Sequence, residues 1–363
     1  MKESQIQRIL KRGELALRRS FISLLSKRTT QATSISTLSL SQKPKILFLR
    51  QDRLGDAIIS TPLLVAIKEK YPNAEIMMLL GENNKGIAAL LPIKCETFIY
   101  KKKLLADISL LRVLRKKKID VLIDLQDNAS ATSSILIAAI GAKYSVGIEK
   151  ENASSYNVLV TRLDQSKYHI ARRIAELLTP FGIDPNALSL RPTLKDIAFK
   201  EVEDRVGMVF SAGAADRYIP IAKSAEIAKA VIETGLPSEI LIFFHPKDEM
   251  YVREIVDIVN DPRVRPSPTT NSFEDYASLL RSCSVVVTPD TSAVHVCSAY
   301  KIPVLMIAKT FPPTLHYWTP IGVEYRMISK NNLSEVDVKE VLSFYQQLHS
   351  SVEKTHVQTE ATL

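Results

Sequence analysis

The sequence predicts an α/β protein built from two doubly wound domains, each a parallel sheet covered by helices on both faces. Three observations carry this. Short apolar runs alternate with helix-length amphipathic stretches over residues 44–333, a loop-rich segment with Pro185 and Pro192 interrupts the series once, and the first run leads directly into a glycine turn. At 363 residues, 46% of them apolar, the chain can bury two cores. It is expected to divide into a basic extension and linker over 1–43, domains over 44–190 and 191–333, a helix over 334–349 and a disordered tail over 350–363.

The stretch KILFLRQDRLGDAIISTPLLVAIKEKYP, residues 45–72, organises the first domain. Ile46, Leu47, Phe48 and Leu49 suit a buried parallel strand. Gly55 follows where the chain must reverse, and Asp56 falls near the start of a helix expected over 57–70. Ligands gather at the carboxyl ends of strands in open α/β sheets, so a carboxylate there can meet a substrate; it can equally cap the helix. Further strands are expected over 74–80, 96–100, 120–125 and 144–148, with helices over 104–118 and 128–140. Basic clusters at 101–103 and 115–118 flank the first of these helices; they read as solvated faces, although a phosphorylated acceptor would also favour them. A longer helix over 168–181 ends at Gly182. The second series has strands over 206–211, 239–244, 284–288 and 302–307, with helices over 222–234, 248–260, 273–281 and 291–300.

Charge and cysteines narrow the function. The net charge of +9 is concentrated in residues 1–45, which hold ten Lys or Arg and two Glu; the remainder has 38 basic against 37 acidic residues. That distribution argues against nucleic acid as a partner. If residues 5–28 are helical, Ile6, Leu10, Leu17, Phe21 and Leu24 lie opposite Arg8, Lys11, Arg12, Arg18 and Arg19, a pattern suited to an anionic membrane surface or to packing on the protein body. No run of 18 apolar residues and no signal-like apolar block occurs, so a cytoplasmic location is expected. Cys95, Cys283 and Cys297 lie far apart in apolar patterns and are expected to be reduced core thiols.

Three other stretches offer chemistry. In SVVVTPDTSAVHVCSAYKIPVLMI a strand runs into Asp290, and a helix opens at Thr291 and Ser292 with His295 a turn along. Free backbone N–H groups, two hydroxyls and the helix dipole there suit a diphosphate; capping by the first three residues and a structural histidine are the plainer alternatives. In FSAGAADRYIP, Ser211 and Gly213 permit a ligand to approach the backbone closely, and Arg217 can neutralise diphosphate oxygens without a metal, or form a surface ion pair. In FFHPKDEMYVREI, a carboxylate such as Asp248 or Glu249 can hold sugar hydroxyls, with helix capping the plainer role for Asp248. No P-loop, GxGxxG turn, GxSxG elbow or His/Cys metal cluster is present in the sequence.

Together, DRLGDAIISTPLLVAIKEKYPNAEI, FSAGAADRYIP and PDTSAVHVCSAYKIPVLMI resemble glycosyltransferase family 9, the ADP-heptose:lipopolysaccharide heptosyltransferases, over about residues 44–330. The resemblance implies the GT-B architecture, two Rossmann-like domains facing a cleft, with acceptor on the first and nucleotide-sugar donor on the second. It also implies inverting, metal-independent heptose transfer from ADP-heptose to the lipopolysaccharide inner core at the inner membrane. Asp56 matches the family's proposed base, and its neighbours Arg53, Gly55 and Thr61 fall on the acceptor side. Ser211, Gly213, Arg217, Asp290, Thr291, Ser292 and His295 match the donor side, with Glu249 near an acidic residue that contacts donor sugar or ribose. Ser292 stands where the family usually has Gly, and FSAGAADR lacks the His-Pro-Gly form of many members. Alternatives are another nucleotide-sugar donor for a surface glycan, or a non-catalytic membrane scaffold with a degenerate site.

Overall fold

A computed structural model describes residues 38–310 and 318–360. The helix expected over 5–28 and most of the linker lie outside the described residues. The first domain contains β1 (Lys45–Arg50), α1 (Leu54–Ile59), α2 (Thr61–Lys70), β2 (Glu75–Gly81), β3 (Glu96–Tyr100), α3 (Leu104–Lys116), β4 (Val121–Asp124), α4 (Ala131–Ile140), β5 (Tyr144–Ile148), β6 (Val158–Val160) and α5 (Ile170–Ala175). The second contains β7 (Arg205–Val209), α6 (Ile221–Glu233), β8 (Glu239–Phe243), α7 (Glu249–Val259), β9 (Val264–Pro266), α8 (Phe273–Arg281), β10 (Val285–Pro289), α9 (Ser292–Tyr300), β11 (Val304–Lys309) and β12 (Tyr325–Lys330), followed by α10 (Val338–Glu360).

Both sheets are parallel and have the same connectivity. The first runs β3-β2-β1-β4-β5-β6 and the second β12-β11-β10-β7-β8-β9, each with its order reversing beside its first strand. Successive residues of the central strands feed two different cores. Ile46 and Phe48 join a cluster that continues into the second domain, whereas Leu47 and Leu49 pack beneath α3 and α4. Val286 faces the shared cluster, while Val285 and Val287 join the core under α6 and α7. Central parallel strands are covered on both sides, which is why they read as unbroken apolar runs. All three cysteines are free; burial pushes the thiols of Cys95 and Cys283 up to about 12, leaving them protonated.

Several elements differ from expectation. The helix expected over 57–70 breaks at Ser60 into α1 and α2. Pro62 has no N–H to offer the carbonyl of Ile58, and Thr61 Oγ1 donates to that oxygen instead, at 2.7 Å. Strands β6 and β9 have three residues each, too few to show a period, and β12 is a half-buried edge. The helix expected over 168–181 is α-helical only to Ala175; Pro180 lies within the tighter turns that follow, which end at left-handed Gly182. The final helix starts at Val338 and runs to Glu360, so the expected boundary at 349 and the tail from 350 are not where the helix ends.

The segment between the domains is tied to both. Thr193 N donates to Thr61 Oγ1 at 2.9 Å, Lys195 N to Leu90 O at 2.9 Å, and Arg191 Nη1 to Ala299 O at 2.7 Å. Thr61 is fully buried and its hydroxyl is engaged as both donor and acceptor, which corrects its expected place among the acceptor-binding residues. A Thr61→Val variant leaves Ile58 O and Thr193 N without these partners. It should cost about 2 kcal/mol in urea unfolding.

Candidate active site

The site begins at the end of β1, where Arg50 is a buried cation. Its Nη1 donates to Leu125 O at 2.6 Å, its Nε to Asp56 O at 3.0 Å, and its Nη2 lies 3.4 Å from Asp56 Oδ1. Asn84 fixes the same bend, accepting from Gly81 N at 2.8 Å and donating to Arg50 O at 2.7 Å. Asp56 thus sits in the first turn of α1 with its backbone clamped. No side-chain cap is made at Arg53, the N-cap position, and Asp56 is the acidic residue of the first turn, where its charge suits the helix dipole.

Gly55 brings α1 onto α9 of the other domain. A Cβ at Gly55 would lie 2.9 Å from His295 Cδ2 and 3.7 Å from Ser292 Cα. This contact withdraws water from Asp56, and burial, opposed by the Arg50 guanidinium, raises its carboxyl to about 6. The charge of Asp52 and, more weakly, that of Asp290 push in the same direction as burial.

Beside this seam opens a cavity of about 620 Å³. It lies at the carboxyl ends of β7, β8 and β10, the reversal point of the second sheet, with Leu54 and Asn83 supplied by the first domain. Ser211 and Gly213 line it after β7, and Thr291 and Ser292 line it at the N-terminus of α9. Thr291 Oγ1 caps that helix by accepting from Ala293 N at 3.3 Å, and Thr288 Oγ1 lies 3.0 Å from the same hydroxyl. A Cβ on Gly213 would meet no atom within 4 Å, so the room left there belongs to the cavity rather than to packing. The remaining walls combine aromatic faces from Phe243, Phe273 and Tyr276 with Asp248 and Lys247. Such a lining suits a planar base at one end and an anionic group at the other.

The expected residues separate into two groups. Ser211, Gly213, Thr291 and Ser292 reach the cavity. Arg217 and Asp290 lie beyond its wall and hold one another, Arg217 Nη1 standing 3.1 Å from Asp290 Oδ2 and 3.2 Å from Asp290 O. His295 does not face the end of its helix that lines the cavity: it is buried beneath Gly55, its ring centroid 6.1 Å from that of Trp318, and burial lowers it to about 3, so the ring is neutral. Glu249 is also displaced from the site. It opens α7 on the surface and pairs with Arg253 at 2.7 Å, because the cavity is reached one residue earlier by Asp248, which accepts from Tyr218 OH at 2.9 Å. Gly55 serves the seam between domains rather than an acceptor, while Arg53 is exposed just before α1.

Sequence reasoning missed Arg50, Asn83, Lys247 and residues 270–273. Arg50 gave a signal, a cation ending a buried apolar run. The 270–273 loop gave another, since Ser272 and Asp275 form a capping box that marks the start of α8 at the cavity rim.

Comparison with known proteins agrees with this architecture. The profile of glycosyltransferase family 9 (heptosyltransferase) matches residues 108–346. Lipopolysaccharide heptosyltransferase 3 of Escherichia coli is 22% identical over 290 residues, spanning 73% of this chain and 83% of that protein. Among solved structures, a family 9 glycosyltransferase from Veillonella parvula aligns with TM-score 0.72 at 17% identity, covering 89% of this chain and 100% of that one. The E. coli ADP-heptose lps heptosyltransferase II aligns with TM-score 0.68 at 19% identity, covering 85% and 99%. The fold is GT-B, and the chain belongs to glycosyltransferase family 9.

Proposed function

We propose that this glycosyltransferase moves a heptose from ADP-heptose to a sugar hydroxyl of a lipopolysaccharide core acceptor, with inversion and without a metal ion. The observation that carries the reading is the carboxyl of Asp56, largely withdrawn from solvent and raised to about 6, on the helix that faces the N-terminus of α9 across the domain seam. Heptose and lipopolysaccharide enter through the relatives, whose names specify them.

In this reading the ADP moiety occupies the cavity, its base against Phe243, Phe273 and Tyr276 and its diphosphate at Thr291, Ser292 and the free N–H groups of α9. Asp56 takes the proton of the acceptor hydroxyl as that oxygen bonds to the anomeric carbon. The sugar–phosphate bond breaks on the opposite face and ADP leaves with the electron pair. The helix N-terminus and Lys247 meet the charge that develops on the diphosphate, the task a metal performs in other transferases. Arg217 acts through Asp290, holding the turn that presents Thr291. A lipid-linked acceptor would place the enzyme at the cytoplasmic face of the inner membrane, where the basic N-terminal segment, outside the described residues, would add attraction to anionic lipid.

A second reading, transfer from another nucleotide sugar, is favoured by one observation: Ser292, where the family usually has Gly, lines the cavity. Ser292→Gly should then change the order of preference among nucleotide sugars; an unchanged order removes this reading.

The direct test supplies purified protein with ADP-heptose and a heptose-deficient lipopolysaccharide. ADP release that depends on acceptor and falls about 10² to 10⁴-fold in Asp56→Asn supports the proposal; undiminished release in the variant refutes the assignment of the base. Stability supplies a separate check. The folded carboxyl titrates near 6 and the unfolded one near 3.8, so wild type binds more protons folded and loses stability as pH rises between these values. Asp56→Asn escapes that loss, and relative to wild type it should gain on the order of 2 kcal/mol between pH 4 and 7. Lys247→Ala, which removes the one Lys or Arg on the cavity wall among the described residues, should raise the donor KM about tenfold with little change in acceptor KM.

A further inference from the structure

We propose that α3 (Leu104–Lys116) is a docking face for an anionic lipid bilayer. The helix carries apolar residues on two opposite sides. Leu114 is buried against the first sheet, with Leu110 and Leu111 packed beside it, while Leu105 is 83% exposed, Ile108 38% and Val113 45%. At about 100° per residue these last three lie with Arg112 and Lys116 on the side away from the sheet. A surface helix normally keeps its outward side polar, so three large apolar side chains there call for a partner.

The charge around them specifies its chemistry. Residues 101–118 hold eight Lys or Arg and one acid, Asp107, which is buried and accepts from Lys101 N at 3.0 Å. Lys101, Lys102 and Lys103 are exposed immediately before the helix, and none of them forms an ion pair among the described residues. Lysines beside a row of exposed apolar side chains match a bilayer: the apolar groups enter below the head groups and the ammonium groups meet lipid phosphates. Another helix shows that exposure alone does not make this pattern. On α7, Met250 is 78% exposed and Ile258 54%, but they share that helix with Glu249, Glu254 and Asp257, which an anionic surface would repel.

The placement on the fold is consistent with use. Lys101, Lys102 and Lys103 follow β3 at the carboxyl edge of the first sheet, the edge at which β1 delivers Asp56, because all six strands are parallel. A bilayer under the N-terminal half of α3 therefore lies at the edge where the cleft opens. This orientation rests on the lipid-linked acceptor proposed above; the binding itself does not.

The test is co-sedimentation of the full chain with vesicles of phosphatidylglycerol and phosphatidylethanolamine, and with phosphatidylcholine alone. Wild type should bind the anionic vesicles in preference, and Leu105→Asp combined with Ile108→Asp should lower its partition coefficient at least about tenfold. Both residues are exposed, so the melting temperature should hold; Met250→Asp should bind as wild type. Lys101→Glu with Lys103→Glu should lower binding and flatten its dependence on salt. Absence of wild-type binding, equal binding to phosphatidylcholine, or wild-type affinity in both double variants overturns the proposal, the last by assigning membrane contact to another part of the chain. Because no sugar is transferred in this assay, failure here leaves the transferase reading standing, and failure of ADP release leaves the docking face standing.

Discussion

The contact between Gly55 and His295 is the constraint on which the rest of the site depends. It allows α1 to lie against α9 with only the His295 ring between them, and it closes the two domains over a common apolar layer. Closure has an electrostatic consequence. Asp56 loses water without gaining a close, fully paired cation, since Arg50 also donates to Leu125 O and Asp56 O and pairs with Asp52 at 3.3 Å. Its carboxyl is therefore held near neutrality, where a base can take a proton and remain largely ionised beforehand. His295, buried at the same seam, is neutral for the same reason and adds no charge that would pull Asp56 back down.

The two sheets supply the geometry around that contact. Each runs parallel, so each collects its loops at one edge, and the seam between the first domain's β1 edge and the second domain's β10 edge sets Asp56 near the helix end at Ser292. The interdomain segment then fixes the distance. Thr61, Thr193, Arg191 and Lys195 tie it to both halves, and Arg191 also fills the space over Gly322, whose built Cβ would lie 2.6 Å from Arg191 Cδ. The cavity is consequently a property of the closed pair of domains, with Leu54 and Asn83 completing a wall that the second domain begins.

Much of this was legible in the sequence, and what was legible was local. The apolar runs at Ile46–Leu49 and Val285–Val287 are buried on both sides, so their strand character shows in composition alone. Asp56, Ser211, Thr291 and Ser292 could be found because strand-to-helix turns are written in consecutive residues. Features that depend on another part of the chain were not legible. The break after Ser60 depends on Thr61 taking the carbonyl that Pro62 cannot, and Thr61 itself is held by Thr193, far along the chain. Gly55 reads as a turn glycine, and only the approach of α9 shows that it is a packing glycine. Spacing put His295 a turn inside a donor-binding helix, but the neighbouring domain covers that side of the helix. Glu249 and Asp248 differ by one residue in sequence and by orientation in space, one turned to Arg253 and the other into the cavity.

The central claim is that domain closure prepares Asp56 as the base, and the pH dependence of acceptor-dependent transfer tests it most directly. The account predicts a kcat/KM that rises on the acid side with a midpoint near 6 and is level above it, with that limb absent from the residual activity of Asp56→Asn. A midpoint near 4 would mean that the carboxyl is solvated in the working enzyme, and a limb that survives in the variant would mean that another group takes the proton.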